Sequence, residues 1–279
     1  MGSVDCHFHV IGPAARFAFH AGRGYTPPEA SVAAWRETLA PLGFTHGVVV
    51  QPSVYGTDNG ALLAALAEGA GDFVGVAAAS RAVSDDELDA LSSAGVRGLR
   101  FAHFEPGDAR ALPGFVPVGD LRELAPRLRE RKLHADLFTD ARLLAGIAPL
   151  LGDAGIPIVI DHMGRTPCAL GMAHPGISQL RELLSQGWCW VKLSGLANVS
   201  DQAPGYDDAR PMHEWLVENF SDRLVWGSDW PHTRPIGQQP VTRGVYEHFV
   251  EWTPDEKRRS ILVDNPRRLY QLNGSAAPA

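Results

Sequence analysis

Cysteine is scarce in this 279-residue chain: Cys6, Cys168 and Cys189 are an odd number at wide spacing. No disulfide framework follows from such a set, and a reducing cytoplasm is the expected location. Basic charge is also short, with 25 Lys and Arg against 32 Asp and Glu for a formal net charge of −7. Lacking a Lys/Arg run, the chain is a poor nucleic-acid binder, because basic charge supplies most of that affinity. No apolar stretch approaches the roughly 20 residues of a membrane helix, so no membrane partner is expected. Neither a basic segment nor a long apolar one precedes Asp5, as a secretory signal would require. A glycine-rich dinucleotide loop is missing too, since no G-x-G-x-x-G follows the first apolar run. What is present, 45% apolar and 20% charged with 29 Gly and 21 Pro, is ordinary globular composition with chain enough for a large core.

Short apolar runs alternate with longer amphipathic ones, the pattern of βα units. The runs predict eight strands: Val4–Val10, His46–Gln51, Phe73–Ala79, Val96–Phe101, Leu133–Phe138, Pro157–His162, Trp190–Leu193 and Leu224–Trp226. Helix starts are read at Thr26-Pro27-Pro28-Glu29, Ser84-Asp85-Asp86-Glu87 and Thr253-Pro254-Asp255-Glu256, each a capping hydroxyl with Glu three residues on. Asp120 and Asp140 are further caps, and Gly43, Gly95, Gly155 and Gly187 fall just past helix ends. Eight units in sequence predict a single-domain α/β fold, a closed (β/α)8 TIM barrel over residues 1–273, with residues 274–279 as a flexible tail. An open doubly wound sheet is the competing architecture.

A barrel places its chemistry where strands end and βα loops begin. The first strand ends Asp5-Cys6-His7-Phe8-His9; alternation turns His7 and His9 inward together and Cys6 and Phe8 outward. Two such imidazoles can hold a metal, polarise a carbonyl or share a proton; a hydrogen-bonded core pair is the bland alternative. The sixth strand ends Ile158-Val159-Ile160-Asp161-His162, which puts His162 inward and Asp161 outward, with Arg165 in the following loop suited to a carboxylate or lactone oxygen. The eighth ends Gly227-Ser228-Asp229-Trp230-Pro231-His232. Asp229 at the mouth is a general-base candidate with room left by Gly227 and Ser228, although Asp is also a common helix cap. Arg100 points a cation inward and needs an acid or an anionic ligand. Gln51 and Ser53 can hydrogen-bond a substrate, Tyr25 can cover the site, and Lys192 reads as a structural ion-pair partner.

Taken in order, His7-Phe8-His9, Asp161-His162-Met163-Gly164-Arg165 and Gly227-Ser228-Asp229-Trp230-Pro231-His232 resemble the amidohydrolase superfamily, and within it the branch of pyrone-dicarboxylate lactonases. Tyr25-Thr26-Pro27, Gln51-Pro52-Ser53 and Asp264-Asn265-Pro266 extend the likeness over nearly the whole chain. The resemblance implies a distorted barrel that hydrolyses the ester bond of a small, carboxylated lactone. It assigns water activation to Asp229, carbonyl polarisation to His7, His9 and His162, and substrate binding to Arg100, Arg165, Tyr25 and Ser53. No cofactor is required in that branch, whereas many superfamily relatives need a metal.

Two departures stand out. Phe138 occupies the strand-five tip, where metal-dependent relatives place a histidine. Asn198, also a substrate-binding candidate, and Pro106 lie where additional arginines would bind a dicarboxylate, which points to a substrate with fewer carboxylates unless Arg210 or His103 compensates.

The residues carry four readings. The first is metal-free lactone hydrolysis, with Asp229 as base and the histidines donating to the oxyanion, each donor worth roughly 3–4 kcal/mol. The second puts one divalent metal, Zn or Mn, in the same His/Asp cluster. The third is intramolecular lactone migration by the same acid–base pair. The fourth is a barrel that binds without turnover, disfavoured because all four cluster residues are present.

Overall fold

A computed structural model describes residues 2–105, 114–233 and 241–272. Its eight strands, β1 (Ser3–Phe8), β2 (Phe44–Val50), β3 (Phe73–Ala77), β4 (Val96–His103), β5 (His134–Thr139), β6 (Ile158–Ile160), β7 (Cys189–Leu193) and β8 (Leu224–Trp226), pair in parallel in sequence order. Between them run α1 (Val32–Leu39), α2 (Gly60–Gly69), α3 (Asp85–Ser93), α4 (Leu121–Glu130), α5 (Leu144–Asp153), α6 (Pro175–Ser185) and α7 (Arg210–Phe220). Three more follow β8: α8 (Thr242–Trp252), α9 (Asp255–Arg259) and α10 (Asn265–Tyr270). This is the expected (β/α)8 barrel in one domain. The predicted tail at 274–279 lies outside the described residues. Among the described residues no helix is long and apolar enough to cross a membrane.

Two apolar layers hold the barrel. Val4, Cys6, Val48, Val50, Val74, Val76, Val159, Trp190 and Val225 fill the interior, and Tyr270 of α10 joins them at the base. The outward faces, such as Phe8, Ile158, Ile160 and Trp226, pack under the helices. Branched residues dominate the inner layer because they fill a tapering barrel with little rotamer freedom to lose. Gly98 is the exception its neighbour demands, since a Cβ there would sit 2.4 Å from His134 Nε2.

Closure between β8 and β1 uses little regular ladder. The Asp229 N–H donates to His7 O at 2.8 Å and the His9 N–H to Trp230 O at 2.8 Å. Asp5, fully buried, accepts from the Ser228 N–H (2.8 Å), Ser228 Oγ (2.6 Å) and Trp35 Nε1 of α1 (2.9 Å). One carboxylate thus ties the two ends of the sheet to the first helix.

Some local expectations hold and others fail. Ser84 and Glu87 form the reciprocal capping box, and Asp140 accepts from the Arg142 N–H. Gly43, Gly95, Gly155 and Gly187 all take positive φ. The Thr26 motif starts no helix: Ala30 bridges to Ile11, and α1 begins after Ser31, which caps it. Thr253 caps nothing, because its hydroxyl is paired with His213 Nε2 at 2.8 Å. Asp120 instead accepts from the Arg81 N–H at 2.9 Å. For Thr253 and Asp120 a tertiary partner won the side chain from the local turn.

Candidate active site

His7, His9, His162 and Asp229 meet at the C-terminal mouth. Asp229 Oδ1 lies 3.6 Å from His7 Nε2, 3.9 Å from His9 Nε2 and 3.9 Å from His162 Nε2. The three rings are mutually close, His7 being 5.0 Å from His9 and 4.7 Å from His162 between centroids. Asp229 (φ 60°) and His162 (φ 54°) both hold the left-handed conformation that non-glycine residues avoid, at a cost of about 1–3 kcal/mol each. In return both side chains turn back over the mouth. Gly227 makes that approach possible, since a Cβ there would lie 2.8 Å from the His7 backbone nitrogen.

Two residues on the strands face the opposite way from the sequence expectation. The β1 register shifts between Asp5 and Phe8, so Cys6 joins the interior cluster although His7 also faces inward. Asp161 points into the barrel, not out. β6 ends at Ile160 with Val159 inward, which puts Asp161 inward too, and His162 reaches the mouth only through its left-handed turn.

Asp161 is the hub beneath the histidines. It accepts from Arg100 Nη2 at 3.0 Å and lies 3.2 Å from Lys192 Nζ and 3.3 Å from His7 Nδ1. Although burial opposes its charge, Lys192 and Arg100 hold its pKa well below the usual carboxylate range. Lys192 is fully buried, paired with Asp136, and 3.2 Å from His7 Nδ1. It is the ion-pair partner the sequence indicated, but one that touches the candidate site.

The histidines are neutral at pH 7. Burial brings His9 and His162 down to about 3, and His7 well below 6.5 with Lys192 adding to the effect. His9 Nδ1 stands 2.7 Å from Val50 O; a carbonyl only accepts, so the proton is on Nδ1 and Nε2 carries a lone pair. His162 Nδ1 pairs with Ser194 Oγ at 2.9 Å. Asp229 moves the other way. Burial lifts its carboxyl from 3.8 to about 7, opposed by Arg100 and assisted by Asp161 and Asp5.

The cleft is lined by His9, His162 and Asp229 together with Tyr25, Ser53, Arg100, Phe138, Asn198 and His232. Pro52, Phe115, Ala197 and Thr233 also line it and were not singled out from the sequence. Asn198 Nδ2 donates to Asp229 Oδ2 at 3.4 Å, and Tyr25 Oη is 3.2 Å from Thr233 Oγ1. His232 is bonded to Thr242 Oγ1 at 3.1 Å, which ties its loop to the start of α8. Arg100 is tied on both terminal nitrogens, to Gln51 O and Asp161. Arg165 is buried with its guanidinium 4.1 Å over the Phe138 ring and is not among the described lining residues.

Gln51 spends its amide on Gly56 O and Asp58 O. Arg210 pairs with Glu214 and Glu251 on the surface, so it brings no cation to the cleft, and His103 does not line it. Pro106 lies outside the described residues.

Three imidazoles around one carboxylate, at the end of a (β/α)8 barrel where strand ends converge, define a barrel hydrolase. The chain belongs to the amidohydrolase family: the family model described as Amidohydrolase matches residues 4–272. It is 34% identical over 272 residues to the 4-sulfomuconolactone hydrolase of Rhizobium radiobacter, covering 96% of this chain and 90% of that protein. To the 2-pyrone-4,6-dicarboxylate hydrolase of Comamonas testosteroni it is 33% identical over 279 residues, with 96% and 90% covered. Among solved structures, a probable 2-pyrone-4,6-dicarboxylic acid hydrolase of Acinetobacter baumannii with citric acid bound matches at a TM-score of 0.85 and 27% identity, covering 97% of this chain and all of that one.

Proposed function

We propose that this chain is a lactonase that opens the ester bond of a small, carboxylated lactone, with Asp229 as the base. The carrying observation is the carboxyl of Asp229 at the focus of three imidazoles, its pKa raised to about 7 by burial. An ordinary aspartate is too weak a base for water at neutral pH. One titrating near 7 is matched to both halves of the reaction.

In the proposed reaction Asp229 takes a proton from water as the water oxygen attacks the lactone carbonyl. The oxyanion is met by donors from His7 and His162. Protonated Asp229 then returns its proton to the ring oxygen as the C–O bond breaks, giving one ring-opened acid per water consumed. His9, with its lone pair on Nε2, is suited to accept from the attacking water or from protonated Asp229. Ser53 and Tyr25 supply hydroxyls to the substrate, Arg100 and Arg165 its cationic surroundings, and Asn198 steadies the carboxylate. With Asn198 in place of a further cation, the fitting substrate has fewer carboxylates than a pyrone dicarboxylate.

No metal is required in this reading. His7, His9 and Asp229 lie close enough together to hold a metal, as do His7, Asp161 and His162, but His7, common to both groups, does not fit. The ammonium of Lys192 lies against its Nδ1 and can only donate, which leaves the proton on Nε2, where a metal would need a lone pair. We further place the protein in cytoplasmic catabolism of small lactones, a reading supported by its three free cysteines.

The test is NMR of the protein with pyrone carboxylates, muconolactones and aldarolactones, run with and without a chelator. A ring-opened acid formed equally fast in both supports the reading. A rearranged lactone would make it an isomerase, and activity restored only by zinc would overturn the metal-free mechanism.

A further inference from the structure

A polar column runs up the barrel interior beneath the candidate site. His134 Nε2 is 3.1 Å from Asp136 Oδ1, the other Asp136 oxygen pairs with Lys192 Nζ, and Lys192 Nζ reaches His7 Nδ1 at 3.2 Å. His134, Asp136, Lys192 and His7 are all at most 2% exposed. At the base the column is closed by the Tyr270 ring, 5.1 Å from His134. A fully buried lysine in a barrel otherwise lined with valine is costly unless its charge is met. Asp136 and Asp161 meet it, and they more than offset the effect of burial on the ammonium.

Two neighbours compete for His7 Nδ1. Asp161 Oδ1, at 3.3 Å, would draw the ring proton to Nδ1. Lys192 Nζ, at 3.2 Å, would expel it, because an ammonium has three donors and no acceptor. The geometry favours the lysine. The Lys192 contact has hydrogen-bond geometry, whereas the 3.3 Å approach of Asp161 Oδ1 does not line up with a ring N–H on Nδ1. His7 Nε2 likewise has no partner of its own and faces the Asp229 oxygen.

We infer that Lys192 is a positioning residue that keeps the His7 proton on Nε2, so that His7 serves the site as an oxyanion donor and cannot ligate a metal. The inference rests on the lactonase reading for its chemistry but not for its geometry. Lys192 touches no reacting atom; it acts through the ring. It also supplies a reason, within this chain, for a His/Asp cluster of metal-binding composition to work without one. Losing the lysine would free Nδ1 to donate to Asp161 and turn a lone pair into the cleft.

The direct test needs no variant. In protein labelled with 15N-histidine, the His7 ring, assigned by its loss in His7→Gln, should show a proton on Nε2 and none on Nδ1 at pH 7. A proton on Nδ1 overturns the inference. A second arm uses Lys192→Met paired with Asp136→Asn, which removes opposite charges together and avoids stranding Asp136 unpaired. The pair should lower kcat about 100-fold, the loss of one oxyanion donor, with KM nearly unchanged. It should also bind added zinc at least tenfold more tightly than the parent by calorimetry. Unchanged kcat and unchanged zinc affinity would again refute it. The two readings fail separately: a protein inert on every lactone with the proton on Nε2 loses the lactonase, while an active lactonase with the proton on Nδ1 loses the role of Lys192.

Discussion

Replacing Asp229 with asparagine should make the protein more stable as well as inactive, and the stability gain should grow with pH. The folded carboxyl titrates near 7 against 3.8 for the free group, chiefly because it is buried. A raised folded pKa means the native state holds the proton more tightly than the unfolded chain does. The stability this brings is complete below 3.8 and lost as pH rises through about 7. At 1.36 kcal/mol per pKa unit, full ionisation of Asp229 costs the fold about 4 kcal/mol. Water at its side chain, 17% exposed, reduces that somewhat. At pH 5 the unfolded carboxyl is already ionised and the folded one is not, so about 2 kcal/mol has been lost; at pH 8.5 all of it has. The asparagine carries no such dependence. Its advantage over the parent in urea denaturation should therefore be about 2–3 kcal/mol larger at pH 8.5 than at pH 5, with chelator present throughout. An advantage that does not change with pH, or an asparagine variant less stable than the parent at pH 8.5, would refute the burial argument.

Three other outcomes follow from the same contacts. The acid limb of kcat/KM should rise through about pH 7, since Asp229 must be ionised to take a proton from water; a limb near pH 4 would show an unperturbed carboxylate. Ser228→Ala removes a 2.6 Å donor from buried Asp5 at the β1–β8 closure and should cost about 1–3 kcal/mol in urea denaturation. Gly98→Ala drives a methyl to within 2.4 Å of the His134 ring and should lower stability by about 1–3 kcal/mol, read from the denaturation midpoint.

The barrel was legible because each strand is a short branched run bounded by turn residues, and the eighth, Leu224–Trp226, was placed to the residue. His7, His9, His162 and Asp229 were legible because all lie at strand ends. What escaped was set by local departures from regular geometry. The shift in β1 turned Cys6 inward, and the left-handed turn at His162 put two successive residues, Asp161 and His162, on the inner side. Alternation counts residues and cannot register a bulge or a left-handed turn. Ser228 seemed only to leave space, yet its partner Asp5 is 223 residues away. Arg100 was expected to meet an acid or an anionic ligand, but nothing in the sequence reveals that the acid is Asp161 and that Gln51 O holds its other terminal nitrogen. Tertiary partners of that kind become visible only when the barrel closes.

The central claim is that water activated by Asp229 opens a lactone without metal assistance, and oxygen-18 tests it most directly. A lactone turned over in the NMR panel is incubated in H2 18O with chelator, using the parent and Asp229→Asn, and the product is weighed by mass spectrometry. The account predicts one 18O in the newly formed carboxylate from the parent and no product above background from the variant. An unlabelled product, or an asparagine variant that still turns over at the parent's rate, would contradict it.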